Sequence, residues 1–167
     1  SVYPTVTRVN AASISTGALP SQHGIHSNSL YVPKVMPGLL NTADYLSLLK
    51  LGQSNGGRVT PLTTLGEELE RSGIPYVAMG SGSTGASLLL NHLAPSGKGS
   101  LINPGFENGK RVAFPDSLNA ELLRRLPPTK AATEGAALIW TEQALREYVL
   151  PEMHPRVVVD WMRSEEH

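Results

Sequence analysis

The sequence predicts an α/β layer fold with a mostly parallel sheet, and two helix-then-strand units carry that expectation. Thr64-Leu65-Gly66-Glu67 is a capping box that opens a helix with Leu65 and Leu69 on one face and Gly73 at its end. Pro75 to Met79 follows as a short buried strand. Thr141 to Val149 has helical spacing through Leu145 and Val149, stops at Pro151, and leads into the β-branched strand Val157-Val-Val-Asp-Trp161. Helices that feed strands in this way are the crossovers of a parallel sheet.

The remaining elements follow in chain order. Pro4 fixes an extended approach, and Val9 to Ile14, with Ala11 and Ala12, makes a small-residue helix that starts near Thr7 and is stopped by Gly17. A short helix is expected from Thr42 to Leu51, with Asp44 in its first turn, where the helix dipole favours an acid. Between Gly80 and Lys130, Gly97, Gly99, Pro104, Gly105, Gly109, Pro115 and the Pro127-Pro128 pair punctuate each apolar stretch, so residues 80–130 are expected to be rich in loops. Within them Ser117 to Leu126 has helical spacing, with Ser117 as N-cap. A helix–strand unit over about 133–162 closes the pattern.

Composition bounds the function. A chain of 167 residues is one domain's worth, and 40% hydrophobic residues suffice for a core. Fourteen Lys and Arg against 14 Asp and Glu give a net charge of +0, without the field that a nucleic-acid polymer or an anionic membrane demands of its binder. With no cysteine there is no thiol nucleophile, no disulfide and no Cys-ligated zinc. No apolar run approaches the roughly 18 residues of a membrane span. The chain opens at Ser1 inside the approach to a motif, so an upstream segment is expected, and the protein would be periplasmic or secreted if that segment carries a signal peptide; the sequence itself does not give the location.

Two stretches carry candidate chemistry. Gly80-Ser81-Gly82-Ser-Thr-Gly85 has the spacing of a dinucleotide fingerprint, follows a strand and precedes the apolar run Leu88 to Leu90. The acid expected about 20 positions on falls at Glu107, inside a Pro-Gly turn, and a tight strand-to-helix turn explains the same glycines. The second stretch runs from Tyr3 to Asn28. Thr7 stands at a helix start, where dipole and free N–H groups stabilise both an alkoxide and the phosphate it attacks. From spacing alone Thr7 is either a helix cap or a nucleophile. Of the histidines, no two have the i, i+4 spacing of a helical metal pair, and His92 and His154 are expected to be surface or hydrogen-bonded residues.

The run Pro4-Thr-x-Thr7-x-x-Asn10, then Thr16-Gly17, Pro20-x-x-His23-Gly24 and Asn28, resembles the nucleophile segment of the type I phosphodiesterase/nucleotide pyrophosphatase family of the alkaline phosphatase superfamily. The close resemblance covers about 30 residues, and Thr64-Leu-Gly-Glu67 and the Gly80–Gly85 loop also look like bacterial members. It implies an alkaline-phosphatase-like α/β/α sandwich, incomplete at both ends. It also implies a nucleophile segment at 1–30 within a single partial catalytic domain.

The same resemblance implies a hydrolase of phosphodiester or pyrophosphate bonds acting on a small substrate. Thr7 would be nucleophile and metal ligand, and Asn28 a donor to a non-bridging phosphate oxygen. Two divalent metal ions, zinc by the resemblance, would be held mostly by ligands outside this chain. His23 would be a hydrogen-bonding residue of the Pro20–Gly24 turn. Arg8 stands where many eukaryotic members carry an aromatic, which removes a base-stacking platform. Arg8, Gly80, Ser81 and Gly82 would border the substrate pocket. A phosphonoacetate hydrolase or a sulfatase-like enzyme shares this logic, and a nucleotide-binding module built on Gly80–Gly85 is the alternative of another class. Glu166 falls where a further metal ligand is expected. Arg163-Ser-Glu-Glu-His167 also reads as one frame of a sequencing adapter, so the natural part of this sequence is expected to end near Met162.

Overall fold

The computed structural model describes residues 6–107, 110–126 and 134–162. Helix α1 (Thr7–Thr16) begins after Val6, whose extended backbone (φ −99°, ψ 134°) takes the N-cap place, and ends at Gly17 with a left-handed φ of 66°. Glycine adopts that conformation without the penalty a Cβ brings, and the Gly17 N–H bonds back to the Ser13 carbonyl at 2.8 Å. The one-turn helix α2 (Pro20–His23) leads to an antiparallel hairpin, β1 (Ser29–Tyr31) with β2 (Leu39–Asn41). Helix α3 (Tyr45–Ser54) follows. Asp44 is its N-cap and not a first-turn residue, accepting from the Leu46 and Ser47 N–H groups at 3.1 and 3.0 Å. The helix therefore starts three residues later than spacing suggests, and Thr42 lies before it.

Helix α4 (Leu65–Arg71) carries the expected capping box. The Thr64 N–H donates to Glu67 Oε2 at 2.8 Å, and the Glu67 N–H returns to Thr64 Oγ1 at 3.4 Å. Its end is also as expected, with the Ile74 N–H bonded to the Leu69 carbonyl around Gly73. Strand β3 (Tyr76–Gly80), all five residues buried, runs into helix α5 (Thr84–Leu90).

The stretch expected to be loop-rich instead supplies two strands of the main sheet, β4 (Ser100–Glu107) and β5 (Lys110–Phe114), before helix α6 (Asp116–Arg125). Pro104 and Gly105 fall where the β4–β5 register shifts between Asn103 and Phe106, so the residues that argued for a loop occupy an irregularity inside a strand. At the start of α6 the cap is Pro115, one residue before Asp116, and Ser117 lies inside the helix.

Helix α7 (Glu134–Ala144) does not stop at Pro151. It continues as a π-helix, Leu145–Met153, which ends at His154 with a φ of 46°. The wider π turn moves the carbonyl four residues back out of the way of the proline ring, which would break an ordinary α-helix. Strand β6 (Val157–Trp161) then completes a four-stranded sheet of order β5-β4-β3-β6. Strands β4 and β6 both run parallel to β3, and β5 is antiparallel to β4.

Strand alternation divides the core in two. Tyr76, Ala78 and Leu101 face a cluster with Ala11, Ala12, Leu48, Leu88 and Leu89, and Val157, Val159 and Trp161 pack on the same side. Val77, Met79, Ile102 and Ala113 face Leu118, Leu122, Trp140 and Val149. Helices α1, α3 and α5 thus cover one face and α6, α7 and the π-helix the other, the three-layer α/β/α arrangement with a mostly parallel sheet that the sequence led us to expect.

Candidate active site

Thr7 is the first residue of α1 and not its cap, because Val6 holds the capping position and has no side chain that could accept. The Thr7 side chain is half-buried, and among the described residues its hydroxyl forms no hydrogen bond. The capping explanation of Thr7 is thereby removed. One turn on, buried Asn10 donates from Nδ2 to the Val6 carbonyl at 3.0 Å, which ties the start of the helix to the residue preceding it. Arg8, beside Thr7, is half-buried. Pro4 and the other residues before Val6 lie outside the described residues.

The turn after α1 is built around His23, which is 1% exposed. Its Nδ1 accepts from the Ile25 N–H at 3.1 Å, so Nε2 carries the proton and donates to Ser13 Oγ at 2.9 Å. Burial, followed by the nearby His26, holds the His23 pKa below its ordinary value, in keeping with a neutral ring. Both ring nitrogens are engaged, and His23 is the hydrogen-bonding residue that the sequence suggested.

Asn28 immediately precedes β1. Its side chain is exposed, and its amide forms no hydrogen bond among the described residues. Its carbonyl, by contrast, accepts from the Thr42 N–H at 3.0 Å and from Thr42 Oγ1 at 2.8 Å.

The Gly80–Gly85 turn is filled by the protein's own atoms. A Cβ on Gly80 would stand 2.5 Å from Ser87 Oγ, and one on Gly85 would stand 2.1 Å from the Thr42 carbonyl oxygen. These glycines answer close packing. Asn103, 0% exposed, pins the turn by donating from Nδ2 to the Gly80 carbonyl at 2.8 Å and to the Gly82 carbonyl at 3.0 Å. The Gly85 N–H bonds to the Ala43 carbonyl at 2.8 Å and the Ser81 N–H to the Trp161 carbonyl at 3.2 Å. The turn therefore sits at the C-terminal ends of β3 and β6, where parallel sheets collect ligands. Sequence reasoning missed both Asn103 and Thr42. A lone Asn after Leu101-Ile102 and before Pro104-Gly105 was the available signal for the first.

These contacts bring the Asn28 segment against the glycine turn through Thr42 and Ala43, and α1 packs on α5, the helix that follows that turn. No hydrogen bond joins Thr7 to Asn28 among the described residues. Asp160 is not part of the group. It alternates with Val159 and Trp161 and so shares the α6–α7 face with Val158, across the sheet from α1. Its carboxylate oxygens are buried without hydrogen bonds among the described residues, and burial raises its pKa. Glu166 and His167 lie outside the described residues.

Among the described residues no three His, Cys, Asp or Glu side chains gather where they could hold a metal ion. A neutral hydroxyl does not retain zinc alone, so these residues do not make a zinc site by themselves.

His92 differs from expectation, being neither at the surface nor hydrogen-bonded. It is 4% exposed, with both ring nitrogens buried and unpartnered among the described residues. Burial pushes its pKa down to about 4 from 6.5, with Glu67 pulling it up and Arg58 pushing it down. Those two form an ion pair at 2.5 Å. Because the folded value is the lower one, the neutral ring's contribution is fully present above pH 6.5 and is lost as pH falls towards 4. That contribution is on the order of 3 kcal/mol. Thermal melting followed from pH 7 to 4.5 is expected to show a steep fall in Tm that His92→Leu flattens; equal slopes would assign the acid sensitivity elsewhere.

No curated protein and no solved structure matches the chain. Residues 1–43, which hold Thr7, His23, Asn28 and Thr42, match the sequence model of the family described as type I phosphodiesterase / nucleotide pyrophosphatase, a match that supports a phosphoester hydrolase kind of function.

Proposed function

We propose that the chain is part of a metal-dependent hydrolase of phosphodiester or pyrophosphate bonds in which Thr7 is the nucleophile and Asn28 a transition-state donor. One observation carries this reading. Within the segment that matches the family, the Thr7 hydroxyl stands at the start of α1 free of the capping bond that would otherwise account for it.

In this mechanism Thr7 Oγ attacks phosphorus, the bond to the leaving oxygen breaks, and a covalent phospho-threonine forms. Water then cleaves the Oγ–P bond and returns the hydroxyl. The positive end of α1 favours both the attacking oxygen and the incoming anion. The Asn28 amide, exposed and uncommitted, donates to a non-bridging oxygen as charge gathers there. Two divalent ions, zinc in this proposal, would lower the hydroxyl pKa and steady the leaving oxygen. Thr7 is the ligand this chain is proposed to contribute, the others lying outside it. The substrate is a small phosphoester, and Arg8, Gly80, Ser81 and Gly82 are proposed to border its pocket.

The test is to trap the intermediate. Acid quenching of the full-length protein during turnover, followed by peptide mass spectrometry, is expected to place a phosphoryl adduct on Thr7. An adduct on another residue, or turnover without any adduct, would count against the proposal.

A further inference from the structure

We infer that Thr42 is a positioning residue that acts through Asn28, an inference that rests on the donor role proposed above. Thr42 is 0% exposed and directly follows β2. Its N–H and its hydroxyl converge on a single acceptor, the Asn28 carbonyl, at 3.0 and 2.8 Å, and the hydroxyl also lies 3.2 Å from the Ser27 carbonyl. On its other side the Thr42 carbonyl is pressed against Gly85, and its neighbour Ala43 accepts from the Gly85 N–H at 2.8 Å and from Thr84 Oγ1 at 3.2 Å. The residue therefore joins the root of the hairpin to the start of α5, and α5 is packed on α1.

The pattern at Asn28 is asymmetric. Its main chain is clamped twice by one buried residue while its side chain is exposed and unbonded among the described residues. A structural asparagine ordinarily uses its amide to satisfy nearby backbone groups. Here the backbone carbonyl is satisfied from outside and the amide is left over. Holding the Cα so firmly reduces the freedom that the amide must lose to meet a developing charge, which is how preorganised donors gain their effect.

Thr42→Val keeps the shape and the N–H bond and removes only the hydroxyl; Thr42→Ser keeps the hydroxyl. In the full-length protein, Thr42→Val is expected to lower kcat about 10-fold with little change in KM, the size of one lost hydrogen bond expressed in the transition state. Thr42→Ser should stay within about 2-fold of the parent. In an Asn28→Ala background, Thr42→Val should change kcat by less than about 2-fold, because the group through which it acts is gone. An equal loss in both backgrounds would make Thr42 a general structural residue and overturn the inference. A normal kcat for Asn28→Ala alone would instead remove the donor role itself, and the inference with it, so the two failures are distinct. If circular dichroism shows that Thr42→Val does not fold, Thr42→Ala serves in the same cycle.

Discussion

Replacing Thr7 with alanine is expected to abolish phosphoester hydrolysis by the full-length protein, lowering kcat by three orders of magnitude or more, on the order of 4 kcal/mol. The attacking atom is removed outright, and nothing in the first turn of α1 replaces it, since the Arg8 guanidinium carries only donors, Val9 has no polar side-chain atom and Asn10 is bonded back to the Val6 carbonyl. The fold should survive. Thr7 takes no part in capping α1, so the usual cost of losing a helix cap, about 1 kcal/mol, does not arise. Kinetics and a urea melt of the same variant separate the two effects. A kcat near the parent value would remove Thr7 from the mechanism, and a collapse of the melt would reassign it to the fold.

Asn28→Ala is expected to lower kcat by roughly 10²–10³, the cost of one transition-state donor, with KM and zinc content little changed. The anchoring of this residue passes through its carbonyl, which alanine retains, and its exposed side chain supports no hydrogen bond among the described residues. Stability should therefore be nearly unaffected. An unchanged kcat would mean that the amide meets no reacting group.

How much could be read in advance depended on how local the determining interactions are. Strand β6 and helix α4 lie where the sequence placed them, because a run of β-branched residues and a capping box report on their own few positions. Strands β4 and β5 were hidden, since Pro104 and Gly105 read locally as a turn and only the pairing of β4 with β5 shows them to be a strand irregularity. The π-helix through Pro151 escaped for the same reason, a local breaking rule having yielded to a wider turn. In the candidate site Thr7 and Asn28 were legible as residue types in an ordered motif. Thr42 was not, because its bonds span 14 and 15 positions and spacing suggested a helix there.

The joint between hairpin and glycine turn is made largely of main-chain groups: the carbonyls of Asn28, Thr42 and Ala43 and the N–H groups of Thr42 and Gly85. An alanine scan would therefore not isolate it, since Ala43 is already alanine, Asn28 and Thr42 keep their peptide groups, and alanine at Gly85 would drive a Cβ to 2.1 Å from the Thr42 carbonyl oxygen while keeping the N–H. Amide-to-ester replacement would register it instead. An ester at residue 85 deletes the N–H that bonds to Ala43 without changing any side chain, leaving that contribution invisible in a list of tolerated substitutions but plain in the chemistry of the backbone.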